Sequence, residues 1–329
     1  MKKLLVLFVV FLLTGCQSTE EGFDHMDKKI SKISSIAVDL EELSSFNDSL
    51  LSYSSSKSRS LWGNILATVS ADVMGIYGGF KASVGAAAFI TAATGGTAGP
   101  VTAIAVLASS GLIGAGASYG AYKGCTLLAV PDAEFYDMTF ESIFSNVNLV
   151  NNKISRFESL VLEHDFNQVD VANIVLDEDF CLLTANLHND IIDSILVNRM
   201  LRTNLDPFIP ISPIEEYSIP LFTTSEVRNM GLRTNNVLKE YYNTHNYEEA
   251  LFDMNQNGLA SNEASSILKL FLDALLIFDE EEELNLIISQ YMSVVSNSEN
   301  LTVMDKNALI ISFITAKRSF ELWENQMGN

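Results

Sequence analysis

The sequence predicts an all-α protein, a Gly/Ala-rich helical hairpin joined to a helical bundle or short helical-repeat array. Three observations carry this. After Asp132 the apolar residues step by three or four positions, as in Phe140, Ile143, Val147, Val150, Ile154, Phe157 and Val161, and so fall on one helix face. Small residues recur every four positions from Ala67 to Gly99, again a helical period. Thr223 with Glu226, and Thr302 with Asp305, have the spacing of capping boxes that start helices. An apolar content of 48% over 329 residues suits two or more folded domains and argues against a disordered chain.

The chain opens with Lys2 and Lys3, an apolar run from Leu4 to Leu13, and small residues before Cys16. This is the layout of an export leader. The run is about half of the roughly 20 residues that a spanning helix needs, which disfavours a plain transmembrane anchor. Leu13-Thr14-Gly15-Cys16 resembles the lipobox of bacterial lipoproteins. The resemblance implies that residues 1–15 are a signal peptide, that Cys16 is lipid-modified, and that the mature chain is tethered in the cell envelope. Several acyl chains exceed what lasting anchorage needs, at about 0.8 kcal/mol per buried methylene. Gln17 and Ser18 follow, where an Asp would resemble an inner-membrane retention signal. The expected location is therefore the outer membrane, with Glu20 and Glu21 leaving export to the cell surface open.

Residues 16–60 read as a lipidated tether. Ile30, Ile33, Ile36 and Leu40 give it an amphipathic helical stretch, and nine serines between Ser44 and Ser60 suggest a flexible linker. The alternative is an ordered helix packed on the hairpin.

Residues 61–130 form the hairpin. Thirteen of the 18 glycines fall between Gly63 and Gly124, and no charged residue occurs from Ala82 to Tyr122. Gly99-Pro100 is the expected turn, because proline lacks an N–H and disfavours helix at the preceding residue. The predicted arms run from Ala82 to Ala98 and from Val101 to Tyr122, about 26 and 33 Å at helical rise, close to a bilayer's hydrocarbon thickness. Gly75, Gly79, Gly95 and Gly99 lie on one stripe and Gly116, Gly120 and Gly124 on another, which lets a second backbone approach closely. The pattern resembles a glycine zipper. Three readings follow: insertion in a membrane, burial by the rest of the protein, or an oligomer interface. Membrane association is the preferred one, with Lys81 and Lys123 at the headgroups. The stretch Gly75 to Ser83 is not a phosphate-binding loop, since Phe80 stands where glycine must precede the lysine.

Residues 131–206 are expected to be helical, with a second amphipathic helix from Phe180 to Arg202. Pro207, Pro210, Pro213 and Pro220 then mark a linker over 207–220. Residues 221–329 make an acidic helical domain. Within it Tyr247 and Ala250 resemble the turn of tetratricopeptide repeats, although the customary glycine is missing and His245 lies nearby. Glu282, Glu283 and Leu284 echo Glu248, Glu249 and Ala250 at that family's repeat length. The resemblance implies a protein-binding surface rather than a catalytic one. A generic antiparallel bundle is the alternative.

Chemistry is sparse. Asp253, Asn255, Asn257 and Gly258 match the start of a calcium loop, but position 12 is Ala264 and the acid falls early at Glu263, so a polar interhelical turn is preferred. The run Asp279 to Glu283 reads as a solvated helix start. His25, His164, His188 and His245 make no metal-binding spacing, and His188 with Asp190 and Asp193 is the nearest approach to a site. Cys125 and Cys181 remain either as a disulfide or as two free thiols. No catalytic residue, cofactor or metal is assigned.

Of the 41 acidic residues, 32 follow Val130, which gives that part of the chain nearly all of the negative charge. Nucleic acid is therefore excluded as a partner and a basic protein is expected. The resulting expectation is a non-enzymatic, lipid-anchored envelope protein with a membrane-associating hairpin and an acidic protein-interaction module. A homo-oligomer is allowed. A bacteriocin-like or pore-forming protein is the second reading, and an envelope hydrolase without a recognisable motif the third.

Overall fold

A charge-poor helical hairpin has apolar surface along both arms, and the chain meets this by wrapping amphipathic helices around it. The structure, a computed structural model, describes residues 20–53, 63–94, 100–126, 134–137, 147–163, 171, 173–200, 219, 221–278 and 281–327. Cys16, Gly95, Gly99, residues 54–60, Phe140, Ile143 and most of the 207–220 linker lie outside them. The helices are α1 (Glu20–Tyr53), α2 (Gly63–Thr94), α3 (Pro100–Thr126), α4 (Val147–Glu163), α5 (Glu178–Met200) and α6 (Thr224–Thr244). They continue as α7 (Tyr247–Gln256), α8 (Asn262–Leu275), α9 (Glu281–Asn297) and α10 (Val303–Met327). Among the described residues there is no strand, only an isolated bridge between Ile219 and Phe222, so the fold is all-α.

The hairpin is α2 and α3, and it is the core. Its first arm starts much earlier than the predicted Ala82, at Gly63, because Asp72 and Lys81 are charges that the helix carries into the interior. Pro100 begins α3, where its missing N–H costs nothing at a helix start. Around the hairpin, α10 packs along α2, α5 lies on α3 and α10, and α6 covers both arms. Ile154, Phe157 and Val161 bury the predicted apolar face of α4, which packs against α5.

A second cluster joins α8, α9 and α10 through aromatic rings. Phe271 meets Phe313 at 4.2 Å between centroids and Tyr291 at 5.2 Å, and Phe278 meets Phe320 edge-on. The tether is part of this cluster. The predicted flexible run from Ser44 continues as helix to Tyr53, with Ser49 and Ser52 hydroxyls bonded back to the carbonyls of Ser45 and Ser49. It docks on α8 and α9 rather than on the hairpin. Asn47 donates to Leu270 O and accepts from the Tyr291 hydroxyl, while Asp39 accepts from Ser298.

Both expected capping interactions form. Thr223 and Glu226 exchange side chain to backbone bonds in both directions, and the Thr302 hydroxyl accepts from the Asp305 amide. His245 takes the left-handed conformation, φ 54°, at the end of α6, the duty for which glycine is usual. Tyr247 and Glu281 start α7 and α9, the same separation as the repeat-like motif and its echo.

Candidate functional site

The glycine stripes sort by what each residue faces. A Cβ on Gly75 would lie 2.4 Å from that of Ala117, and one on Gly79 3.0 Å from Ile113, so this stripe brings α2 onto α3. On α3, Gly114 takes the Ile76 side chain, whereas Gly120 and Gly124 face Tyr242 of α6. Gly116 is buried as well. The zipper therefore serves two neighbours, one within the hairpin and one in the sheath. Val101–Thr126 is long and apolar enough to cross a membrane, and its most apolar 18-residue stretch is almost wholly buried inside the protein.

The hairpin arms hold three charged side chains, Asp72, Lys81 and Lys123. Each is met by protein. Lys81 bonds the Asp305 carboxylate at 2.8 Å, and the same oxygen accepts from the Tyr77 hydroxyl at 2.8 Å. Burial alone would raise the Asp305 carboxyl, but Lys81, Thr302 and Tyr77 outweigh it and hold it below the usual carboxylate range. The expected headgroup position of Lys81 is thus replaced by an internal ion pair. Lys123 lies 5.6 and 5.8 Å from the ring centroids of Tyr119 and Tyr122. Asp72 is fully buried, accepting from Trp323 Nε1 at 3.2 Å. The same indole N–H reaches Ser118 Oγ at 3.2 Å, so α10 ties the two arms together at their base. His188 of α5 closes the network, its Nε2 at 3.5 Å from Asp72 Oδ1 and its Nδ1 at 2.9 Å from Asn189 Oδ1.

Toward the opposite end of the hairpin, described residues on both arms are exposed. Phe89 is 76% exposed and Val101 52%, with Gly85 and Ala88 also exposed. Chain registry places them together. Gly79 lies against Ser110 and Ile113, and Gly75 against Gly114 and Ala117, so the antiparallel arms bring Phe89 level with the start of α3.

No family model matches the chain, and no curated protein or solved structure matches it.

The remaining candidates resolve into structure. Cys125 and Cys181 are free thiols. The α3–α5 packing separates them: Gly111 faces Thr184 and Leu187, and Gly114 faces His188, so the two helices run parallel. Cys125 lies about 16 Å beyond Gly114 along α3, while Cys181 precedes Thr184 in the other direction, too far apart for a disulfide. Cys125 Sγ sits 3.6 Å from His245 Nε2, and burial lowers the His245 imidazole pKa. Burial pushes the Cys181 thiol up, which leaves it an inert apolar group. Asp190 pairs with Lys153 and Arg156 instead of His188, and Asp193 is exposed.

The calcium-like segment is a turn. Asp253 and Asn255 are inside α7, Asn257 caps it, and Gly258 has φ +67°. The Asn257 amide donates to Asp253 O, and Asn255 donates to Ala260 O. Among the described residues no group of three or more His, Cys, Asp or Glu is placed to hold a metal. An open cleft of about 450 Å³ lies between α6 and α7, lined by Asn229, Arg233, Asn236, Asp253 and Asn257. Sequence reasoning missed Asp72, Ser118 and Trp323, whose signal was a lone acid in a long apolar helix, and it missed the exposure of Phe89 and Val101.

Proposed function

We propose that this chain is a lipid-anchored envelope protein whose hairpin meets the bilayer at its tip, while its acidic helices face water and bind a basic protein. The observation that carries this is the contrast along one charge-poor hairpin, packed by protein through its stem and with Phe89 and Val101 exposed near its far end. Phe89 and Val101, exposed side by side on adjoining arms, suit contact with an apolar surface. The lipobox-like Leu13 to Cys16 supports an outer-membrane tether. The repeat-like stack of α6 to α9 supports a binding role for the acidic half.

A second reading is full insertion of the hairpin, in the manner of a pore former. It is favoured by the length and apolarity of Val101–Thr126. In that case the sheath would first have to release Asp72 and Lys81.

The test is flotation of the chain from Gln17 onward with liposomes, followed by an alkaline carbonate wash. Because the hairpin is the core, the informative variants are Phe89→Asp and Val101→Asp, not a hairpin deletion. Binding that is lost in these variants while their thermal melts are unchanged supports tip contact. Resistance to carbonate, with dye release, supports insertion. A chain that never floats removes both readings.

A further inference from the structure

We infer that one end of the molecule is a membrane-docking face built from two segments, the hairpin tip and the loop before α5, and shaped for a bilayer with zwitterionic headgroups. This rests on the proposed membrane role and goes further in naming the surface and the lipid. Ile174 is 51% exposed and Val175 38%, unusual for adjacent β-branched residues in a loop. The loop is fixed, not loose. Asn307 of α10 donates to the carbonyls of Val171 and Ile174 and accepts from the Leu176 amide at 2.8 Å.

Helix registry puts this loop beside the tip. Gly111 faces Thr184 and Leu187, so the parallel α3 and α5 bring residues 174–178 level with the first turn or two of α3. Asn307, which holds the loop, is next to Asp305, which holds Lys81, so the same end of α10 braces both segments. Phe89, Val101, Ile174 and Val175 are thus exposed at one end of the bundle.

The tether arrives from that side too. On α1, Asn47 meets Tyr291 and Leu270, Glu42 meets Gln290, and Asp39 meets Ser298. Going toward its N-terminus, α1 therefore runs along α9 toward the start of α10, the end that bears the tip. From Asp39 it continues to Glu20, about 28 Å at helical rise, in the same direction. The expected lipidation cysteine, Cys16, precedes Glu20 by four residues in the chain, which supplies the occupant: a bilayer held by the anchor. Asp177, Glu178 and Asp179 are exposed beside Val175. Their charge repels anionic headgroups and leaves zwitterionic lipid as the fitting surface.

The experiment uses the chain from Gln17 onward, which keeps every described residue, tethered by an N-terminal hexahistidine to nickel-chelating lipid in phosphatidylcholine vesicles. Single tryptophans are placed by Phe89→Trp, Ile174→Trp and Phe252→Trp, the last at an exposed position on the flank of the bundle. Quenching by brominated acyl chains is read against the unsubstituted protein, with thermal melts to verify folding. At least twofold quenching of the new signal is expected for Phe89→Trp and Ile174→Trp, none for Phe252→Trp, and less for both when phosphatidylglycerol is added. Quenching at Phe89→Trp without Ile174→Trp overturns the two-segment face and leaves the proposed function standing. Quenching at neither overturns both. Equal or stronger quenching with phosphatidylglycerol overturns the lipid preference.

Discussion

Gly75 and Gly85 lie on the same helix in the same charge-poor composition, yet a methyl group on the first would strike Ala117 at 2.4 Å and one on the second would meet nothing within 4 Å. The comparison teaches that a small-residue stripe fixes how closely a partner can approach, not which partner comes. Through the stem the partner is protein. At the tip it is whatever lies outside the chain.

The sharpest break in that comparison is Gly75→Val. Neither the Ala117 side chain nor the Gly114 backbone can yield, so a loss of about 3 kcal/mol or more is expected, seen as a large drop in Tm or failure to fold. An unaffected melt would mean that the arms are not packed as described.

Next is the ion pair that fastens the stem. Lys81→Met leaves Asp305 buried without its cation and should cost about 3 kcal/mol in urea unfolding at neutral pH. Asp305 has its pKa lowered on folding, so its ionised form stabilises the fold above the ordinary value of 3.8. That stabilisation is lost as pH falls below this value, and the gap between wild type and Lys81→Met should narrow there. A gap that stays constant down to pH 2 would show that the pair acts through packing alone.

How much of this was legible beforehand follows from the same residues. The hairpin, the start of its second arm at Pro100 and the caps at Thr223 and Thr302 were readable because glycine spacing, proline geometry and capping act locally. Where the first arm begins was not. Lys81 looked like a boundary in sequence, and only the arrival of Asp305 from far along the chain lets the helix carry it into the fold. The first part of the serine-rich run, Ser44 to Tyr53, misled for the opposite reason: local composition favoured a linker, and docking of Asn47 between Leu270 and Tyr291 overrode it. The exposure of Phe89 has no local signature either, since it depends on where the sheath stops.

At the tip the expected effect moves from stability to lipid. Phe89→Asp should leave the melt unchanged within about 0.5 kcal/mol and weaken liposome association by about 2 kcal/mol, roughly thirtyfold, as a buried aromatic is lost from the bilayer. An unchanged flotation curve would assign the tip to some other partner. The smallest effect is Gly85→Ala, which should stabilise the helix by up to about 1 kcal/mol because alanine favours helix and nothing obstructs it. A destabilised Gly85→Ala would reveal a neighbour that packs there after all.

The ties between hairpin and sheath also impose a timetable. Lys81 waits for Asp305, 224 residues later, and Asp72 for Trp323, 251 residues later. Synthesis at about 5–20 residues per second releases the apolar arms well before their cover exists. Until α10 is complete the most aggregation-prone part of the chain has only α4 to α9 to lie against, and long-range closure of this kind is intrinsically slow. A nascent chain truncated before Val303 should therefore depend on a chaperone in a way that the finished protein does not.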